Sequence, residues 1–251
     1  MRLYDVDKFR IIVSNRKTHT EQIIFKHKLR ITVGALMGLI GLSGWIMISN
    51  FMLIIIPIGA LLSIWNYKKN KNWIKGAKGE ATVFKYLKQL PNQYILLNDL
   101  NLPDTFGNID HVVLGPNGIF TIETKNFKGS YVVEKDQWYF IAGSKLVETY
   151  KNPGDQIKTN TAVFSKFLGA HGLKSYRSST FPVVAFINPN LTVKHKPKTY
   201  TVMHPSILAK FIMGPRKKLN KKDVGLIAEL LMEYCAEISY SDVIYPSIFS
   251  A

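Results

Sequence analysis

Charge is absent from residues 31–65: "ITVGALMGLIGLSGWIMISNFMLIIIPIGALLSIW" contains no Asp, Glu, Lys, Arg or His. So long an uncharged stretch excludes an ordinary water-soluble domain for this part of the chain and carries the composition of a membrane segment. As one helix it would extend about 53 Å at roughly 1.5 Å per residue, against a hydrocarbon core of about 30 Å. Two short spans, 31–48 and 51–67, broken at Ser49-Asn50, fit better, and a re-entrant helical hairpin is the variant. Cysteine is nearly absent too. Cys235 alone permits no internal disulfide and no Cys-type zinc site, which suits a reducing cytosol. There is no internal repeat and no low-complexity linker. Acid is scarce, with 17 Asp and Glu against 33 Lys and Arg, a net charge of +16.

Lysine and arginine fill the space that acid leaves. Lys26, Lys28 and Arg30 precede the apolar run, and Lys68, Lys69, Lys71 and Lys75 follow it. The positive-inside rule therefore puts both flanks in the cytoplasm. A secretory signal peptide is the competing reading, but the run starts late, is too long, and no clear cleavage site ends it. The basic runs at 68–75, 194–198 and 216–222 suit nucleic acid or anionic lipid as a partner. Each run is equally readable as solvated surface lysine.

These features divide the chain into an N-terminal cytoplasmic segment at 1–30, a transmembrane helical hairpin at 31–67 and a soluble domain at 68–251. In the first, "FRIIVS" is readable as a strand or as part of a helix leading into the membrane. In the last, apolar residues from Trp73 to Leu87 recur at helical spacing, and Pro91 stops that helix. Strands are expected at 94–100, 109–114, 118–125, 131–135 and 137–142. Asn152 and Pro153 read as the cap and first residue of a helix reaching about Leu168. A buried strand at 181–188, a short strand at 200–203 and helices near 205–213 and 220–237 complete an α/β pattern with a β-meander at its centre.

One stretch places charge where a sheet should not. In "NIDHVVLGPNGIFTIETK", a turn centred on Pro116-Asn117 sets Gly115 opposite Gly118, Leu114 opposite Ile119 and Val112 opposite Thr121. Continued outward, Asp110 falls opposite Glu123. Like charges so placed destabilise a strand pair, and period two puts Lys125 on the face of Glu123. A divalent cation, Mg²⁺ or Mn²⁺, would compensate the two carboxylates. The alternative is a surface hairpin with a Glu–Lys pair and Asp110 as a solvated edge residue. Glu80 lies on the apolar stripe of its helix, where a carboxylate is costly, unless it is a helix N-terminal acid favoured by the macrodipole. Gln156, in the first turns of its helix, could reach a substrate phosphate or a water held by a metal; alone it reads as a surface residue. His111 points away from Asp110, and His171, His195 and His204 have no metal-ligand spacing.

Together "GAKGE" (76–80), "GNIDHVVLGPNGIFTIETKNFKG" (107–129) and "NPGDQ" (152–156) resemble the nuclease-related domain, NERD, a branch of the PD-(D/E)xK restriction-endonuclease-like superfamily. The resemblance covers about residues 74–190. It implies a mixed sheet flanked by helices, preceded here by the membrane hairpin, which many members lack. It further implies metal binding by Asp110 and Glu123 with help from Glu80 and the Thr124 carbonyl, Lys125 acting near the attacking water, and Gln156 close by. The expected activity is a membrane-anchored, Mg²⁺- or Mn²⁺-dependent nuclease acting on DNA, with RNA not excluded. The alternative is a membrane-tethered nucleic-acid-binding or scaffold module without turnover. Membrane lipid, through residues 31–67, is the second expected partner. A homo-oligomer or a membrane-protein partner is left open.

Overall fold

The computed structural model describes residues 2–6, 9–13, 18–47, 54–103, 107–216, 219–240 and 244–245. Two compact units divide the chain: Met1–Arg16 with Gly79–Ala251, and Lys17–Lys78.

The first unit opens with strands β1 (Arg2–Val6) and β2 (Phe9–Val13). Helices α1 (His19–Met47) and α2 (Ile55–Leu87) follow, α2 beginning in the second unit and ending in the first. Then come β3 (Ile95–Leu100), β4 (Ile109–Gly115), β5 (Gly118–Lys125), β6 (Tyr131–Glu134), β7 (Gln137–Ala142) and β8 (Lys145–Glu148). Helix α3 (Pro153–Ala170) leads to β9 (Thr180–Phe186), β10 (Leu191–His195) and β11 (Thr201–Met203). Helices α4 (Leu208–Ile212) and α5 (Lys221–Met232) and strand β12 (Glu237–Tyr240) close the unit.

The fold is mixed α/β, as expected, with two mixed sheets flanked by helices. The larger has the order β1-β2-β12-β3-β4-β5-β9-β11, antiparallel up to β5 and parallel beyond it. The smaller has the order β10-β6-β7-β8. The expected meander is therefore divided: β4 and β5 sit in the large sheet, while β6 and β7 pair with β8 and β10 in the small one. Residues 220–237, expected to be one helix, instead give α5 and then the start of β12, which pairs with both β2 and β3. The "FRIIV" stretch is a strand; one of its partners is the adjacent β1 and the other, β12, is more than two hundred residues away in sequence.

Alternation along the strands makes two cores. Leu97, Val112, Leu114 and Ile119 pack with Phe164 and Leu168 of α3 and Ile227 and Leu231 of α5. Leu96, Val113, Phe120 and Ile122 face the other way, toward Val83 and Leu87 of α2 and Leu208 and Ile212 of α4. Trp138, Ile157, Phe186 and Tyr200 join the small sheet to this framework, and the Trp138 indole donates to the Tyr200 hydroxyl at 2.8 Å. The β4–β5 register is the expected one, with Gly115 opposite Gly118 and Val112 opposite Thr121. Tyr94 fastens the turn by donating to Asn117 Oδ1 at 2.6 Å, and Asn117 Nδ2 donates to the Gly214 carbonyl at 2.7 Å.

The second unit follows a different rule. A capping box starts α1: the Glu21 N–H donates to Thr18 Oγ1 at 3.1 Å, and the Thr18 N–H to Glu21 Oε2 at 3.0 Å. Buried positions then recur every seventh residue, at Thr20, His27, Gly34 and Gly41, as in a left-handed helix pair. Gly59, Ser63 and Asn66 of α2 meet this side of α1: His27 Nδ1 lies 3.1 Å from Asn66 Oδ1, and Ser63 Oγ donates to the Ile31 carbonyl at 3.2 Å. Small and polar residues thus occupy the inside, while Leu39, Ile46 and Leu61 are 63, 72 and 68% exposed. Among the described residues one helix, His19–Ile46, is long and apolar enough to cross a membrane by length and composition. The expected break at Ser49-Asn50 lies outside the described residues. Unlike the separate post-membrane helix expected at 73–90, α2 is unbroken from Ile55 to Leu87.

The β4–β5 turn is a sensitive backbone position. Gly118 has φ +130°, and a Cβ there would lie 2.8 Å from the Ser179 carbonyl oxygen and 2.6 Å from the Phe181 ring. Gly118→Ala should cost about 2–4 kcal/mol of stability, measured by denaturant unfolding. A loss no larger than that of an exposed loop substitution would show that this turn does not hold the register.

Candidate functional site

The site forms where β4 and β5 outrun their mutual pairing. The last described pair at that end is His111 with Ile122. Beyond it the Asp110 side chain takes over, and its Oδ2 accepts the Thr124 N–H at 2.6 Å. Glu123, only 2% exposed, and Lys125 follow on the same strand face. Lys125 Nζ donates to Glu123 Oε1 at 2.6 Å and to Gln156 Oε1 at 2.8 Å. The alternative of a solvated surface hairpin therefore does not describe this stretch.

Helix α3 is placed so that Gln156 can reach. Asn152 Oδ1 accepts the Gly154 N–H at 2.8 Å and Pro153 opens the helix, as the sequence suggests. Further along, Thr161 Oγ1 lies 2.7 Å from Thr121 Oγ1, pinning the helix to β5. Asn160, one turn from Gln156 and 5% exposed, points its amide at the same cluster: Nδ2 lies 3.4 Å from Glu123 Oε2 and 3.3 Å from the Asn108 carbonyl. The sequence reading missed Asn160. Its signal was the i, i+4 spacing from Gln156, which puts both amides on one helix face.

Glu80 arrives from the opposite side. It lies deep within α2, so the helix-N-terminus explanation for it fails. Neighbouring Gly79 permits a close approach: a Cβ there would stand 3.0 Å from Asn126 Cβ and 3.1 Å from Ile187 Cδ1. Glu80 acts on Asp110 through charge, raising its pKa.

Burial pushes the Asp110 carboxyl well above the ordinary carboxylate range, and the charges of Glu123 and Glu80 push it further; Lys125 and the Thr124 N–H oppose this. Glu123 is also raised by burial, against the Lys125 charge and the Lys125 and Asn160 hydrogen bonds. One ammonium group does not neutralise this collection of acids. Among the described residues no group of three or more His, Cys, Asp or Glu is close enough to hold a metal by itself. The Asp110 and Glu123 carboxylates could nonetheless offer the oxygen donors that Mg²⁺ accepts, since that ion keeps several waters and shares its sphere with substrate phosphates.

His111 is packed, not part of this cluster. Its Nδ1 lies 2.8 Å from Asn98 Oδ1, its ring stacks on Phe84, and burial lowers its pKa to about 3. His171, His195 and His204 have separate local partners: the Phe167 carbonyl, Glu134 and Ser206.

Residues 75–187 match the family model described as nuclease-related domain, NERD. NERD belongs to the restriction-endonuclease-like superfamily, so the domain indicates a nuclease-like function. An uncharacterized protein of Bacillus anthracis is similar as well, 35% identical over 108 residues, which cover 41% of this chain and 49% of that protein. The chain thus spans about half the length of that curated relative. No solved structure matches.

Raised carboxyl pKa values have a defined linkage. Unfolded, both groups titrate near the ordinary values of about 4. Between there and the raised folded values, the folded state binds more protons than the unfolded state. This contribution to stability is complete below the unfolded pKa and is lost as pH rises through the folded one. Asp110→Asn keeps an acceptor oxygen for Thr124 and removes the charge. In chelator at neutral pH it should raise stability by about 1 kcal/mol, the scale of a like-charged strand pair, and flatten this part of the pH dependence. Thermal unfolding across pH measures both effects; a less stable Asn variant would overturn this account of the site's electrostatics.

Proposed function

We propose that this protein is a membrane-anchored, divalent-metal-dependent nuclease that hydrolyses phosphodiester bonds of DNA. The observation that carries the reading is the convergence of Asp110, Glu123, Lys125 and Gln156 at the joined ends of β4, β5 and α3, inside a nuclease-related domain.

Asp110 and Glu123, with the Thr124 carbonyl, would hold Mg²⁺ or Mn²⁺, while Glu80, expected from the resemblance to help, would act on Asp110 by charge alone, since no three acids among the described residues gather closely enough to share an ion. When bound, the ion supplies Lewis acidity and a lowered water pKa. The chain's own residues do the rest. The Thr124 N–H fixes the orientation of Asp110, and Asn160 constrains Glu123 from the side opposite Lys125. Lys125 presents a cation to the negative charge that grows on the phosphoryl oxygens, where a fixed charge is most effective. Gln156 accepts a hydrogen bond from Lys125 and so limits where that ammonium group can point. The surplus of Lys and Arg gives the sequence-independent attraction that a phosphate backbone requires.

Anchoring is supported by the second unit, in which small and polar side chains face inward and large apolar ones outward. Membrane helices pair in this way because lipid solvates the apolar exterior. The chain leaves the first unit after Arg16 and rejoins it at Gly79. A membrane segment between those points would enter and leave on one side, as a hairpin does, and the basic flanks favour the cytoplasm as that side.

The deciding assay uses purified full-length chain with Mg²⁺ or Mn²⁺ against linear, circular and single-stranded DNA, with RNA alongside. Asp110→Ala, Glu123→Ala and Lys125→Ala should each lower cleavage by about 100-fold or more while retaining the far-UV spectrum. Three variants that cut like the parent chain would refute the nuclease reading. DNA binding without cleavage in either metal would instead identify a tethered binding module.

DNA affinity should also fall steeply with salt, log affinity dropping linearly with log salt at about 0.9 per phosphate contacted. A flat response in a filter-binding titration would show that lysine–phosphate contacts do not drive binding.

A further inference from the structure

The cations of the second unit form a belt at one level of the helix pair. Three contacts fix the alignment: His27 with Asn66, Ile31 with Ser63, and Gly34 with Gly59, where a Cβ on Gly59 would collide with the Gly34 carbonyl oxygen. Sequence positions rise on α1 as they fall on α2, so the basic flanks of the two helices come to the same end. Lys26, Lys28 and Arg30 of α1 and Lys68, Lys69 and Lys71 of α2 are all exposed there. Within residues 17–78 the one acid is Glu21.

Exposed aromatics are interleaved with these cations. Phe25, Trp65 and Tyr67 are 54, 60 and 62% exposed, and Lys69 Nζ stands 3.9 Å from the Trp65 ring centroid. Beyond this level the exposed surface of the helix pair is apolar and the sequence uncharged. A change from uncharged apolar surface to mixed cations and aromatic rings is what a membrane–water boundary selects.

Length then decides the depth. From Ile31 to Met47, α1 rises about 25 Å at 1.5 Å per residue, less than a hydrocarbon core of about 30 Å. A helix pair inserted that far draws its belt down to the level of the lipid phosphates, with Lys and Arg reaching outward along their aliphatic stems.

We propose that this belt is a binding surface for anionic phospholipid headgroups in the leaflet through which the helix pair enters. The inference rests on the anchoring reading above and adds that the anchor selects its lipid by charge. Each exposed cation at an anionic surface contributes about fivefold in affinity, so the belt distinguishes an anionic bilayer from a zwitterionic one by orders of magnitude.

Flotation of detergent-free, full-length chain tests it, using phosphatidylcholine vesicles with and without phosphatidylglycerol. At low salt, apparent affinity for the phosphatidylglycerol vesicles should exceed that for pure phosphatidylcholine by at least tenfold and fall with added salt. The combined variant Lys26→Gln, Lys28→Gln, Lys68→Gln and Lys69→Gln should lose most of that preference while still floating. Equal flotation on both vesicles, or a variant that keeps the preference, overturns the headgroup site and leaves the anchor standing. Failure to float on any vesicle overturns the anchor and the headgroup site together. If the variant instead loses DNA affinity with its lipid preference intact, the belt is a nucleic-acid surface and the proposal is wrong.

Discussion

The pairing of β4 with β5 is the constraint on which the candidate site depends. In a strand pair, side chains alternate between faces, so a shift of one residue exchanges every inward group for an outward one. Here Val112, Leu114 and Ile119 face α3 and α5, and Asp110, Glu123 and Lys125 continue that face to the strand ends. Slipping the register would drive these charges toward the core built on Val83, Leu87 and Phe120. The apolar residues that select the register thus also aim the charged ones. Tyr94, Asn117 and Gly118 hold the turn, remote from the carboxylates, yet decide where they point.

Local patterns were legible in the sequence. The β4–β5 register followed from a Gly-Pro-Asn-Gly turn, the start of α3 from Asn-Pro, and the crowding of Asp110, Glu123 and Lys125 from alternation, whereas Gln156 was placed beside them only by the resemblance to the nuclease-related domain. What escaped were elements defined by distant partners. Strands β8, β10 and β12 are short, and β8 is exposed along its length, so it carries no burial alternation to read. The continuity of α2 was hidden by its change of environment: its first half is apolar and its middle is lysine-rich, which resembles a membrane end followed by a linker. Helical hydrogen bonding is indifferent to that change. Asn160 was missed because a lone Asn in an amphipathic helix resembles surface; its burial becomes visible only once β5 lies against α3.

The two units solve opposite solvation problems. In the first, apolar residues are inside and the charges of the candidate site converge at one place, where Lys125, Asn160 and a backbone N–H offset part of their cost. In the second, a glycine contact and a His–Asn pair are inside and leucines and isoleucines outside. Composition alone mixes these patterns into a moderately basic average. The seven-residue recurrence at Thr20, His27, Gly34 and Gly41 separates them, because it marks a helix pair that packs largely through small side chains.

The place of β2 between β1 and β12 has a consequence for biosynthesis. Residues 9–13 leave the ribosome long before their β12 partner at 237–240 exists. Until then β2 has a free strand edge, and the helix pair emerges next, before any of the remaining sheet. Pairings between such distant segments form late and slowly, since the intervening chain must be ordered first. The candidate site does not depend on that last step: β4, β5 and α3 are neighbours in sequence and can assemble while the C-terminus is still being made. Closing the sheet therefore joins the two flanks of the helix pair only after both helices have left the ribosome, so the pair has the rest of translation in which to form by itself.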